Sequence, residues 1–214
     1  MGRRNEHTRE ELREIALQAA EHLVAKHGLA GLSTRKVVGH IGYTVGSLYM
    51  VFRSLDDLIA QMNERTLEAL QARLNVAIAD RPPPAAAIRA LAQAYITFAL
   101  TETHRWLAVY QHRMPEGESM PESFTDKVAR MFGLVQLELA LLCPRRSPED
   151  IALAARALWS SIHGICVLGF DQKLEVAGGR SIQDVTGSLL DHYLAGFVAA
   201  SSLESPHPVD RASG

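Results

Sequence analysis

Cysteine is scarce in this sequence. There are two, Cys143 and Cys166, far apart and in apolar helical surroundings. That excludes a disulfide scaffold, and no spacing resembles a zinc site, so the thiols read as packing residues of a protein kept in a reducing compartment. Aromatics make up only 6% of the chain, whereas 47% is hydrophobic, much of it Ala and Leu. That balance argues against a β-sandwich and for an all-α protein. No apolar run approaches the roughly 20 residues that span a bilayer, so no membrane partner is expected. The start, Met1-Gly-Arg-Arg-Asn-Glu-His, lacks the apolar segment of a signal peptide, and Glu6 stands where a myristoylation motif needs Ser or Thr. The expected location is the cytoplasm. Catalytic signatures are missing as well: no phosphate-binding glycine loop, no Gly-x-Ser-x-Gly, no His-Glu-x-x-His. Ser160, Ser161 and His163 crowd one helix too closely to form a triad, so neither an enzyme nor a cofactor is expected. His104 and His112, with Glu102, do not make a metal spacing and read as surface polar residues.

What is present is a chain of 214 residues, long enough for one large or two small domains, with an uneven charge. Residues 1–53 hold eight Arg or Lys against five Glu, so this segment is +3 and the remainder −5. A mildly basic head on an acidic body suits a protein that presents one end to nucleic acid.

The organising stretch runs from Leu32 to Phe52. Ser33 is a good first cap for a helix, and Val37, Val38 and Ile41 follow at helical spacing. Gly42 stands where a helix ends in a left-handed residue. Thr44 caps a second short helix in which Leu48 and Phe52 point inward while Ser47 and Met50 point away. Two short helices joined by a tight glycine-containing turn make a helix-turn-helix, whose second helix fits the major groove while the first crosses the phosphates.

Gly28, Thr34-Arg35, Gly42, Gly46-Ser47-Leu48-Tyr49, Phe52 and Asp57-Leu58 together resemble the TetR family of transcriptional regulators over roughly the first 60 residues. The resemblance implies a homodimer on a palindromic double-stranded DNA operator, controlled by a small-molecule effector. On it, Thr34 and Tyr49 contact phosphates and Arg35 reaches a guanine. Thr44, Val45, Gly46 and Ser47 open the reading helix, with the last three facing base edges. Lys36 and Tyr43 are weaker candidates, and Arg53 reaches a backbone phosphate. Four positions depart from the family pattern: Leu55 for Lys, Val38 for Ala, Met50 for an aromatic residue or His, and Tyr43 for a small apolar residue. Leu55 matters most, since a lost phosphate contact lowers affinity and flattens its salt dependence.

About nine helices are expected. Residues 1–8 read as a basic arm with Arg3 and Arg4 near DNA or as a plain tail, and 9–69 as the DNA-binding domain with the helix-turn-helix at 32–51. A first helix over 8–27 ends at Gly28, and a fourth begins at Ser54, boxed by Asp57, and runs to about Asp80 before Pro82-Pro83-Pro84. Residues 84–203 read as a C-terminal effector-binding and dimerisation domain, and 204–214 as a disordered tail. Within that domain, helices are expected at 85–103, 104–113, 122–142, 147–169 and 181–201, with Ser147–Asp150 and Ser181–Asp184 as capping boxes and a turn at Gly178-Gly179.

In the family the last two long helices pair with their copies in a second subunit. Here Ala154, Ala157, Ile162 and Ile165, with Gly187, Leu190, Leu194, Ala195, Phe197 and Val198, supply more apolar surface than one buried face needs. Trp159 and His163 are four apart and share a helix face; with Gly164 they resemble a Trp-His-Gly signature of some TetR C-terminal domains. Two readings remain open for them: the wall of an effector pocket, or core residues in which His163 bonds a carbonyl and Gly164 admits a neighbouring helix. By analogy with the family, Tyr95, Phe98, Trp106, Tyr110, Met114 and Phe132 are further lining candidates, which suits a small apolar or aromatic effector. The expectation is thus a DNA-binding regulator, a repressor released by its effector. The alternative is a helical interaction or dimerisation protein with a weakened head.

Overall fold

The computed structural model describes residues 7–176, 178 and 180–203. Most of the expected basic arm, half of the expected Gly178-Gly179 turn and the expected tail 204–214 lie outside the described residues. Among the described residues every regular element is a helix: α1 (Arg9–His27), a 3-10 turn (Leu29–Gly31), α2 (Thr34–Ile41), α3 (Val45–Tyr49), α4 (Leu55–Ala77), α5 (Pro84–Thr101), α6 (Thr103–Gln111), α7 (Glu122–Leu142), α8 (Pro148–Phe170), α9 (Lys173–Val176) and α10 (Ile182–Leu203). The fold is all-α, as composition implied. The nine expected helices are there. A further single turn, α9, follows Gln172, which takes a positive φ of 56°.

Helix ends follow local chemistry. Thr8 and Glu11 form a reciprocal capping box on α1, and Gly28 (φ 69°) closes it. At α4 the box is displaced by one residue. Ser54 Oγ accepts the Asp57 N–H at 3.1 Å, but the Asp57 carboxylate accepts the N–H of Arg53, not of Ser54, at 2.8 Å. α4 stops at Ala77 instead of near Asp80, ahead of a turn through Arg81 (φ 50°) into the prolines. Ser147 caps α8 by accepting the Asp150 N–H at 3.1 Å, with Pro148 at the first helical position. Ser181 and Asp184 cap α10 reciprocally.

The chain groups into two compact units that do not follow chain order. The first runs up to Val76 and includes Thr97–Met131; the second joins Ala77–Ile96 to the chain from Phe132 onward. The first unit has one main core. Ala16, Ala20 and Val24 of α1, Val37 and Val38 of α2, Leu48 and Phe52, and Leu58, Ile59 and Met62 of α4 enclose it, and α6 adds Ala108. Leu55 packs half-buried against the same core. Polar contacts bind α6 to it. Asn63 Nδ2 donates to the Ala108 carbonyl at 3.2 Å, His104 Nδ1 to that of Ala25 at 2.8 Å, and Arg105 pairs with Glu21 at 3.4 Å. His112, expected on the surface, is instead buried, its Nε2 3.1 Å from Asp56 Oδ1. Arg65 pairs with Glu14, and Lys127 of α7 reaches Glu64 at 2.7 Å.

In the second unit α8 buries Ile151, Ala154, Ala155, Leu158, Ile162 and Cys166. Leu139, Leu190 and Leu194 are buried in the same unit, and Arg89 pairs with Asp191 at 2.7 Å. Both cysteines are free and buried, and burial pushes the Cys166 thiol up to about 11, which keeps it protonated and inert. α8 is long and apolar enough to cross a membrane by length and composition alone. Arg156 interrupts it, and one of its faces is buried in protein.

Gly42 ends α2 in the left-handed conformation that glycine adopts most cheaply. Its φ is 75°, yet a Cβ there would meet nothing within 4 Å. Gly42→Ala should therefore cost about 1 kcal/mol through backbone strain alone. Gly39, in the interior of α2 with open space around it, has no such conformation. Gly39→Ala should stabilise by about 0.5–1 kcal/mol. Urea unfolding of the two variants checks the opposite signs.

Candidate nucleic-acid interface

The short α3 is held by caps and anchors. The Lys36 N–H donates to Ser33 Oγ at 3.3 Å, starting α2. The N–H groups of Gly42 and Tyr43 both donate to the Val38 carbonyl, at 2.9 and 3.1 Å, ending it. Thr44 is extended; its Oγ1 accepts the Ser47 N–H at 3.1 Å and lies 2.9 Å from Ser47 Oγ. Leu48 and Phe52 are 1% and 2% exposed, whereas Val45, Tyr49 and Met50 are 39%, 48% and 54% exposed on the other side. Leu48 and Phe52 inward and Met50 outward follow the spacing, whereas Ser47, expected to point away, is half-buried.

Thr34 and Tyr49 come together across α2 and α3, Oγ1 and OH 3.4 Å apart, so two hydroxyls share one rim. Arg35 is exposed, as are Thr44 and Gly46, and Ser47 is half-buried. Lys36 is exposed too, but its Nζ donates to the Gly31 carbonyl at 2.7 Å and so caps the 3-10 turn. Tyr43 packs half-buried on the head core, its ring 6.3 Å from that of His7. The Arg53 side chain is 80% exposed.

One polar chain beneath this surface was not visible in the sequence. Arg13 NH1 donates to Gln61 Oε1 at 2.7 Å, Gln61 Nε2 donates to Asp57 Oδ1 at 2.9 Å, and Asp57 Oδ2 takes the Arg53 N–H. Arg13 also lies over the Phe52 ring, 5.2 Å from its centroid. The i, i+4 spacing of Asp57 and Gln61 was a usable signal; nothing in sequence spacing joins Arg13 of α1 to α4. Burial works to raise the Asp57 carboxyl, but the hydrogen bonds from the Arg53 backbone, Gln61 and the Arg53 side chain outweigh it and hold the group below its ordinary value.

The candidate effector residues fall in different units. In the second, Tyr95 OH lies 3.0 Å from His163 Nδ1, the Trp159 ring 5.4 Å from that of His163, and Phe132 edge-on to Trp159 at 5.5 Å. Burial pushes the His163 imidazole down, toward the neutral form. Its partners thus include a tyrosine hydroxyl. A Cβ on Gly164 would meet nothing within 4 Å, so among the described residues no neighbouring helix requires that glycine. In the first unit Trp106 is buried with Tyr110 5.1 Å away, Phe98 is buried, and Met114 is half-buried.

A capped two-helix turn carrying an exposed short helix, on an otherwise all-helical chain, defines a helix-turn-helix protein of the DNA-binding class. Comparison with known families narrows this. Residues 16–62 match the family described as bacterial regulatory proteins, tetR family, and residues 88–199 match the tetracyclin repressor-like C-terminal domain. The chain belongs to the TetR family of transcriptional regulators. No curated protein matches it. Among solved structures it is similar to a protein of unknown function from Rhodococcus sp. RHA1, with 23% identity, 91% of this chain and 98% of that one covered, and a TM-score of 0.73. It is also similar to the TetR family transcriptional regulator PfmR from Thermus thermophilus (20% identity, 84% and 97% covered, TM-score 0.59). A third is SCO4454, a TetR-family transcriptional regulator from Streptomyces coelicolor (17% identity, 90% and 97% covered, TM-score 0.59). At these identities the neighbours show the shared fold.

Because Asp57 is held below its ordinary value, its stabilisation is fully present above the unfolded value and is lost as pH falls through the lower folded value. Asp57→Asn should cost about 1 kcal/mol at neutral pH. The gap to the parent protein should narrow once pH drops below about 3.9, the ordinary Asp value. Denaturant titrations from about pH 7 to about pH 2 measure it; a gap that stays constant contradicts the ionised role.

Proposed function

We propose that the protein is a homodimeric transcriptional repressor, acting in the cytoplasm, that binds a palindromic DNA operator and is released by a small apolar or aromatic effector. The observation that carries the DNA reading is the outward face of α3, capped by Thr44 and anchored by Leu48 while Val45 and Tyr49 remain exposed. In this reading Val45, Gly46 and Ser47 face base edges, Val45 against a thymine methyl. Thr34 and Tyr49 clasp one phosphate between their adjacent hydroxyls, Arg35 reaches a guanine with its planar fork, and Arg53 meets the backbone. Thr44 serves mainly as the cap. Lys36 and Tyr43 are secondary, one engaged with Gly31 and the other with the core.

Dimerisation through α8 and α10 is supported by their glycines. Gly164, Gly187 and Gly196 sit inside helices, where each costs about 1 kcal/mol relative to Ala. A Cβ placed on any of the three would meet nothing within 4 Å. Leu153, Leu168 and Val198 are exposed on the same two helices. A second copy would use both features. For the effector, the Tyr95–His163–Trp159–Phe132 cluster offers aromatic faces and a neutral imidazole. Phe98, Trp106, Tyr110 and Met114, in the first unit, are further candidates. Release requires only that the effector bind the DNA-incompetent conformation more tightly.

A salt series of gel shifts with DNA from upstream of the protein's own gene tests the reading. A specific, salt-sensitive complex is expected, and its absence would return the chain to a helical interaction protein with a weakened head. Arg35→Ala should weaken the specific complex by about 1–3 kcal/mol and random-sequence binding much less. Equal loss on both DNAs would remove Arg35 from base reading.

A further inference from the structure

Behind the C-terminal end of α3 the first unit holds a cleft of about 360 Å³, whose walls include Arg13, Tyr49, Phe52, Arg53, Asp57 and Gln61. Two cations line it. Arg53 stands out into solvent, and its Nε is 3.6 Å from Asp57 Oδ2. Arg13 is different: it is half-buried, lies over Phe52 and is tied by one N–H to Gln61. It forms no ion pair among the described residues. The one carboxylate lining the cleft, Asp57, already accepts from Gln61 through one oxygen and from Arg53 through the other. Arg13 is therefore a pre-oriented guanidinium whose charge is left uncompensated, beside exposed Tyr49 at the end of the reading helix. Leu55, at the start of α4, packs on the core and adds no charge there.

We infer that Arg13 seats a phosphate of the DNA backbone in this cleft, next to the one contacted by Thr34 and Tyr49. Three features fit a phosphodiester. A guanidinium offers five N–H donors in a planar fork that matches phosphate oxygens, and the Gln61 bond uses one of them. The Phe52 ring and Gln61 fix the plane in advance, so little side-chain freedom is lost on contact. The cleft is larger than a phosphate, leaving room for the bridging waters common at such interfaces. The inference rests on the DNA-binding reading above.

The test measures binding of the full-length protein to the DNA it recognises, as log K against log salt concentration. Arg13→Met keeps a stem over Phe52 but removes the charge. Its slope should be shallower by about 0.9 for each phosphate lost, hence by about 1.8 for a two-headed complex. Arg13→Lys should keep the parent slope, and so should Gln61→Met, which removes the hydrogen bond without touching the charge. A parent slope in Arg13→Met would overturn the inference whatever happens to affinity, because a residue that only packs the head does not change counterion release. Should Arg13→Met not fold, the parent protein answers instead. Phenylglyoxal modification of Arg13, read by mass spectrometry, should fall when DNA is bound; unchanged modification overturns the phosphate seat. A parent protein with no salt-sensitive specific complex removes the DNA reading and this inference together, whereas a normal parent complex with an unaltered Arg13→Met slope removes this inference alone.

Discussion

The burial of Leu48 and Phe52 is the constraint on which the head depends. α3 has five residues, far too few to persist as a helix in water, where nucleation alone disfavours anything so short. Its existence and its direction come from two side chains driven into the core, each contributing about 1.5–3 kcal/mol by leaving water. The caps at Thr44 and Gly42 add direction, but without the anchors there would be no helix to cap. The outward residues Val45 and Tyr49 are thus placed by the inward ones. The recognition surface is in this sense a property of the core beneath it.

The core beneath the head draws on more than its own short helices. α6 puts Ala108 into that core and holds α1 through Glu21 and Ala25 and α4 through Asn63, and His112, just past its end, reaches Asp56 of α4. α7 adds Lys127 and Ser123 on Glu64. These contacts alternate apolar filling with charged pairs. Breaking one pair leaves a partly buried partner without its counter-charge, which costs more than the pair itself contributes. Segment 97–131 is therefore part of what keeps α1 and α4 in register, and both of those helices frame the α3 surface.

What could be read from the sequence was what is decided within a few residues. Ser33, Gly42, Thr44, Ser147 and Ser181 announce helix ends because a cap is a hydrogen bond between near neighbours. Leu48 and Phe52 announce an inward face because helical spacing is local too. The displaced box at Ser54 was only half legible: a three-residue spacing gives the first bond but not which N–H the carboxylate chooses. His112 looked like a surface residue because its partner Asp56 lies 56 positions away. Arg13 carries no local signal, since its ring partner Phe52 and its amide partner Gln61 belong to other segments. Of the aromatic residues grouped as one set in the sequence, Trp106 and Tyr110 pair within the first unit, and Tyr95, Phe132, Trp159 and His163 cluster within the second. Composition cannot tell which of several apolar helices a given ring will meet.

The same limit explains α8. Its length and apolarity meet the requirement for crossing a membrane, yet Arg156 interrupts it and one face is buried by this chain's own residues. α8 carries an interior glycine with empty space around it on one side and a packed protein core on the other. A helix that packs on its own chain with one face and on a second protein surface with the other has a reason for both. The apolar excess and the unfilled glycine of α8 recur on α10, at Gly187, Gly196 and Val198. Two neighbouring helices sharing that combination favour the proposed dimer over a bilayer as the destination of the exposed face.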